Sequence, residues 1–72
     1  MATFKILSVD QIRDQVLRGQ ETRLWDPASQ PRTVLRVEDL PGGDVQLWVP
    51  GAVQEFPITV RASALMRVAL DK

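Results

Sequence analysis

Two periods divide the 72-residue chain: a helical one up to Gly19 and an alternating one beyond it. Ser8-Val9-Asp10-Gln11 reads as a capping box, Ser8 at N-cap and Gln11 at N3. Leu7 and Ile12 then fall at N′ and N4, the positions of a hydrophobic staple. Val9, Ile12 and Val16 recur at i, i+3 and i+7 with Leu17 beside them, so one stripe must pack on something. Asp10 in the first turn and Arg18 in the last complement the macrodipole, and Gly19 supplies the C′ stop. The spacing predicts a helix over 9–18, too short to persist in water without tertiary packing.

From Gly19 onward, strands are punctuated by turns. The predicted strands are 21–26, 32–38, 45–49, 53–60 and 65–70. In 32–38, Thr33, Leu35 and Val37 share one face; Arg32, Val34, Arg36 and Glu38 share the other. In 45–49, Val45, Leu47 and Val49 oppose Gln46 and Trp48. Pro41-Gly42-Gly43-Asp44 and Pro50-Gly51 are turns, the first with two glycines free to take a positive φ. Phe56, Ile58 and Val60 share a face in 53–60, where Pro57 marks an edge or a bulge because it has no N–H for a ladder. Arg61-Ala62-Ser63-Ala64 is read as one helical turn. The last strand is apolar on both faces, so it is either central or covered by another chain.

The expected fold is therefore mainly β (α+β), one domain over 1–72: a helix and then about five short antiparallel strands. Closing them into a small barrel with the helix over one mouth leaves the fewest open edges. That order, with a one-turn helix before the last strand, resembles the SH3-like and Sm-like small barrels along nearly the whole chain. The resemblance is one of topology. In place of the Sm-like RNA-binding stretch stands Val60-Arg61-Ala62-Ser63, and with no Tyr the SH3 peptide-binding aromatics are absent. It implies a fold, and by analogy a small bacterial or phage accessory protein acting as adaptor or inhibitor.

Composition then limits the chemistry. Nine Lys+Arg balance nine Asp+Glu, which argues against a general polyanion binder. A chain this short buries only about 60% of its unfolded surface, so self-association is an expected source of added stability. With no His and no Cys, the usual general base and thiol nucleophile are missing, and disulfides and Cys/His zinc sites are excluded. Lys5 and Lys72 sit near the ends; Ser8 is taken by capping, Ser29 lies between prolines, and Ser63 lies in a turn. Gly42-Gly43 precedes a strand, where a phosphate loop requires a helix. Glu38, Asp39 and Asp44 look like solvated loop charges, although a hard cation is conceivable there. The expectation is no enzyme, no cofactor and no metal. No signal peptide or membrane span is read, which makes the cytoplasm the default.

One constellation remains. If Leu24, Leu35 and Leu47 point inward, then Arg23, Trp25, Arg32, Val34, Arg36 and Trp48 point outward. Trp and Arg are enriched at interface hot spots and also suit base stacking. Against this stands the structural reading, in which an indole is simply the largest core block; it is favoured for Trp25 beside Asp26-Pro27, and exposure for mid-strand Trp48. Residues 21–44 carry three arginines against five carboxylates, a net of −2, and residues 45–72 carry three cations against two carboxylates, a net of +1. Mixed signs fit a protein-binding surface better than a phosphate track. The leading reading is a non-enzymatic protein-interaction module docking by the Trp/Arg face or an edge strand. Nucleic-acid or nucleotide binding, and a structural subunit of a larger assembly, are the alternatives.

Overall fold

The computed structural model describes residues 3–28 and 30–70. Ser29, Asp71 and Lys72, which entered the reading of nucleophiles and charge, lie outside them. The chain opens on a strand that the spacing did not predict, β1 (Phe4–Ser8), and continues into helix α1 (Val9–Leu17). No linker separates them, because Ser8 ends the strand and caps the helix. Its extended backbone aims Oγ at the Gln11 N–H, 3.1 Å away, while the Ser8 N–H donates back to Gln11 Oε1 at 2.8 Å. At the other end Gly19, at φ +79, lets two N–H groups fold back. Gly19 donates to Val16 and Gln20 to Gln15, a Schellman closure beyond the cap residue Arg18. Val9 and Ile12 are buried and Val16 half-buried, as the stripe predicts. Leu17 is 79% exposed: one residue past Val16 turns it about 100° off the stripe.

Among the described residues, seven strands form two antiparallel sheets. The first has the order β1-β7-β2-β3, with β7 at Leu65–Ala69, β2 at Arg23–Leu24 and β3 at Arg32–Thr33. The second is the meander β4-β5-β6, at Arg36–Asp39, Asp44–Val49 and Phe56–Arg61. The last strand is thus central, lying between β1 and β2 and pairing Leu7 with Met66 and Leu24 with Val68. Of the two alternatives for this strand the first holds, its edges being paired within one chain, while Leu65 and Arg67 on its outer face stay exposed. Pro57 does mark an edge, since β6 is the outer strand of its sheet. At Gly42 and Gly43 φ is +89, and Leu40 donates to Asp44 across that turn at 2.8 Å. Residues 61–64 form a β-turn closed by Ala64 N–H on Arg61 O at 2.9 Å, in place of the expected helical turn. The expected strand 21–26 shrinks to two residues, flanked by Thr22, 1% exposed, whose Oγ1 donates to Gln15 Oε1 at 2.7 Å.

The strand expected over 32–38 is broken, and the break inverts its faces. Val34 donates to Thr22 O in the first sheet, whereas Leu35 donates to Trp48 O in the second. Arg36 is the residue opposite Trp48 in the ladder, so Leu35 and Arg36 together face one residue: a β-bulge. The extra residue reverses the alternation upstream of it. Val34, expected outward as part of the binding face, is 4% exposed and belongs to the core; Leu35, expected inward, is 46% exposed. The chain changes sheets at this bulge.

Between the sheets lies one core, built from Leu7, Val9 and Ile12 of the N-terminal unit with Val34, Val45, Leu47 and Val68. The alternation of β5 holds throughout: Val45, Leu47 and Val49 are buried, and Ile12 and Leu47 are fully so. Each such Ile or Leu contributes about 1.5–3 kcal/mol by leaving water. Helix α1 is also tied to the second sheet by Arg13, which bridges Asp10 at 2.7 Å and Asp39 of β4.

Candidate functional site

The six residues expected on one face are divided between two sheets and the core. Arg36 and Trp48 remain neighbours. They stand opposite each other on β4 and β5, and the Arg36 guanidinium lies over the indole, 4.3 Å from its centroid. The indole N–H donates to Glu38 Oε1 at 3.0 Å; Arg36 Nε lies 3.7 Å from Glu38 Oε2, and Arg36 also pairs with Glu55. The cluster satisfies itself: one ring face is covered, the only polar atom of the indole is engaged, and the cation has two carboxylates. A base or an incoming ring would first have to displace Arg36 from Trp48.

Trp25 follows β2 on the other sheet and has different neighbours. The order β1-β7-β2 places Phe4, Arg67 and Trp25 side by side, since Trp25 N–H donates to Arg67 O and Arg67 stands opposite Ile6. The Phe4 and Trp25 rings are 4.6 Å apart, tilted by 33°, and the Arg67 guanidinium lies 5.6 Å from each centroid. Arg32, at the first residue of β3, reaches across to the other sheet and covers Phe56 at 5.2 Å. Arg23 stands opposite Thr33 in the β2–β3 ladder. With Arg36 on Trp48, all four aromatic rings of the chain carry a guanidinium.

Between Trp25 and Phe56 the two sheets part, leaving a groove of about 540 Å³. Leu24 and Met66 form its wall on the first sheet and Phe56 and Ile58 its wall on the second; Arg32 and Arg67 stand at the rim. The apolar walls come from strand positions that face the core. They are only partly covered there, and Leu65, which lies on the opposite face of β7 from Met66, borders the groove and is 70% exposed. Concave, mainly apolar clefts with a few polar groups at the margin are the usual form of a binding site.

Of the expected face, Trp25 and Arg32 therefore belong to this groove, Arg36 and Trp48 to the self-satisfied cluster, and Val34 to the core. Sequence reasoning missed Phe4, Phe56, Met66 and Arg67 as their companions. The signal for Arg67 was present in the alternation of the last strand, but its neighbours were hidden because β1 was not recognised as a strand.

Among the carboxylates considered for a cation, Glu38 accepts from Trp48, Asp39 pairs with Arg13, and Asp44 lies 3.7 Å from Arg61. No group of three or more candidate metal ligands gathers among the described residues. Among them, no helix is long and apolar enough to cross a membrane. Comparison of the chain with protein-family models, curated proteins and solved structures returns no match.

Proposed function

We propose that this chain is a non-enzymatic protein-interaction module, a small SH3-like barrel whose docking surface is the groove between Trp25 and Phe56. The groove carries the reading: about 540 Å³ of open space, walled by aliphatic and aromatic side chains and edged by two arginines. Trp and Arg beside an apolar groove are the residue types enriched at interface hot spots. The passage of the chain from one sheet to the other at the Val34–Leu35 bulge supports the barrel reading, because small barrels turn their corners at bulges. The lack of His and Cys supports a binder over a catalyst. Docking on Trp48 is the weaker form of this proposal, since Arg36 already occupies the ring face.

Site-specific photo-crosslinking in the native cell tests the reading. A benzophenone amino acid at Leu65, beside the groove, should trap one defined protein; the same probe at Leu17, at least as exposed on the helix, should not. Capture of nucleic acid from position 65, or equal capture from both positions, would overturn the proposal. Capture of a second copy of the chain would identify the subunit reading as the right one.

A further inference from the structure

The arginines of this chain differ in what balances their charge. Arg13, Arg18, Arg36 and Arg61 each stand within 4 Å of at least one carboxylate oxygen. The guanidinium groups of Arg32 and Arg67 lie over aromatic rings, and neither has a carboxylate partner within 4 Å among the described residues. Both stand at the rim of the same groove. Asp26, the single carboxylate among the described lining residues, uses Oδ1 to accept the Ala28 N–H at 2.9 Å.

A guanidinium lying on an aromatic face is held in orientation by the ring, while its N–H edge stays available to an acceptor from outside. Two such groups flank walls that need an apolar occupant. We infer, building on the reading of the groove as a docking surface, that it takes an acidic, apolar segment of a partner protein. Its large side chains enter between Phe56 and Met66, and a flanking Asp or Glu carboxylate pairs with Arg32 and Arg67. Charge complementarity specifies the anion, and the aliphatic walls specify the rest. A nucleic acid fits less well: it brings a run of phosphates to a chain of zero net charge, and flat bases to walls of Leu24, Ile58 and Met66. The ion pairs are exposed, so binding should weaken as salt rises.

The test is selection from a display library of random 12-residue peptides on the full chain, with counter-selection on Leu65→Asp, which adds a negative charge beside the groove. Retained peptides should combine Leu, Ile, Phe or Trp with an excess of Asp and Glu. A synthetic peptide of the most enriched sequence should lose about tenfold in affinity on Arg32→Gln or Arg67→Gln, since each substitution removes a charge-assisted contact. Both variants should melt within a few degrees of the parent, and Arg18→Gln, on the helix, should bind unchanged. If the retained peptides are apolar without an acidic excess, or both glutamine variants bind normally, the acidic partner is refuted while the groove stands. Retention of the same peptides on Leu65→Asp, or retention of none on either protein, removes the groove itself. A single-stranded oligothymidine that binds where no peptide does, and loses affinity in the same variants, would replace the peptide by a nucleic acid.

Discussion

The bulge at residues 34–35 makes a quantitative prediction that a continuous strand would reverse. Replacing Val34 by Ala removes two methyl groups from a side chain that is 4% exposed. At about 0.8 kcal/mol per methyl the transfer cost is roughly 1.6 kcal/mol. Incomplete collapse of the core around the gap brings the loss to about 2 kcal/mol. Unfolding entropy near the midpoint is about 2.1 cal/mol/K per residue, so for this chain the loss lowers Tm by about 13 °C. Leu35→Ala removes more carbon, but from a residue that is 46% exposed and lies on the outer side of the bulge. Its cost should be about 0.5 kcal/mol, or roughly 3 °C. Thermal melts followed by far-ultraviolet circular dichroism, with urea titrations followed by tryptophan fluorescence, separate the two. A Leu35→Ala variant as damaged as Val34→Ala, or more so, would show that the alternation runs unbroken and that the sheets do not meet at this bulge.

Two further outcomes follow from the geometry around the groove and the Trp48 cluster. Gly51→Ala would set a Cβ against the Gln54 carbonyl and 2.9 Å from Phe56 Cδ1, so the 50–55 loop and the Phe56 wall must both shift. The variant should lose stability by more than 1 kcal/mol on urea titration, with chemical-shift changes centred on Phe56; an unchanged spectrum would contradict the described packing. Arg36→Ala should change the emission of Trp48 yet cost no more than about 1 kcal/mol, because exposed ion pairs and cation–π contacts contribute little in water. A loss of several kcal/mol would mean that the cluster supports the fold.

How much of the fold is legible in the sequence depends on how local its cause is. The Ser8–Gln11 box, the Gly19 stop and the faces of β5 are set by neighbours within a few residues, and all could be read. Strand β1 could not: Phe4–Ser8 is short and includes Lys5, and its partner β7 lies at the opposite end of the sequence. The bulge was equally hidden, because it exists only when Trp48 accepts from Leu35. Unbroken alternation therefore puts Val34 on the surface, whereas it is buried. Residue type alone points to Trp25 and Arg32, and both reach the groove. Their companions Phe56 and Met66 come from strands whose relative placement is a tertiary fact, outside the reach of periodicity.

The two sheets also differ in how far along the chain their partners lie. In β4-β5-β6 each strand meets its successor across a short connection, so this half can zip from its turns. In the other sheet, Phe4 meets Ala69 and Ser8 meets Leu65. Closing nearly the whole chain instead of a short turn costs roughly 2 kcal/mol more in chain entropy, before any contact is gained. The β1–β7 ladder is thus the clasp of the molecule, the step that waits for the rest. Since Phe4 and Ile6 sit in that clasp beside Arg67, assembly of the groove's rim is bound to the pairing of widest sequence separation in the two sheets. The meander pairs only with itself, whereas the Phe4–Arg67–Trp25 cluster requires that Phe4–Ser8 has paired with Leu65–Ala69.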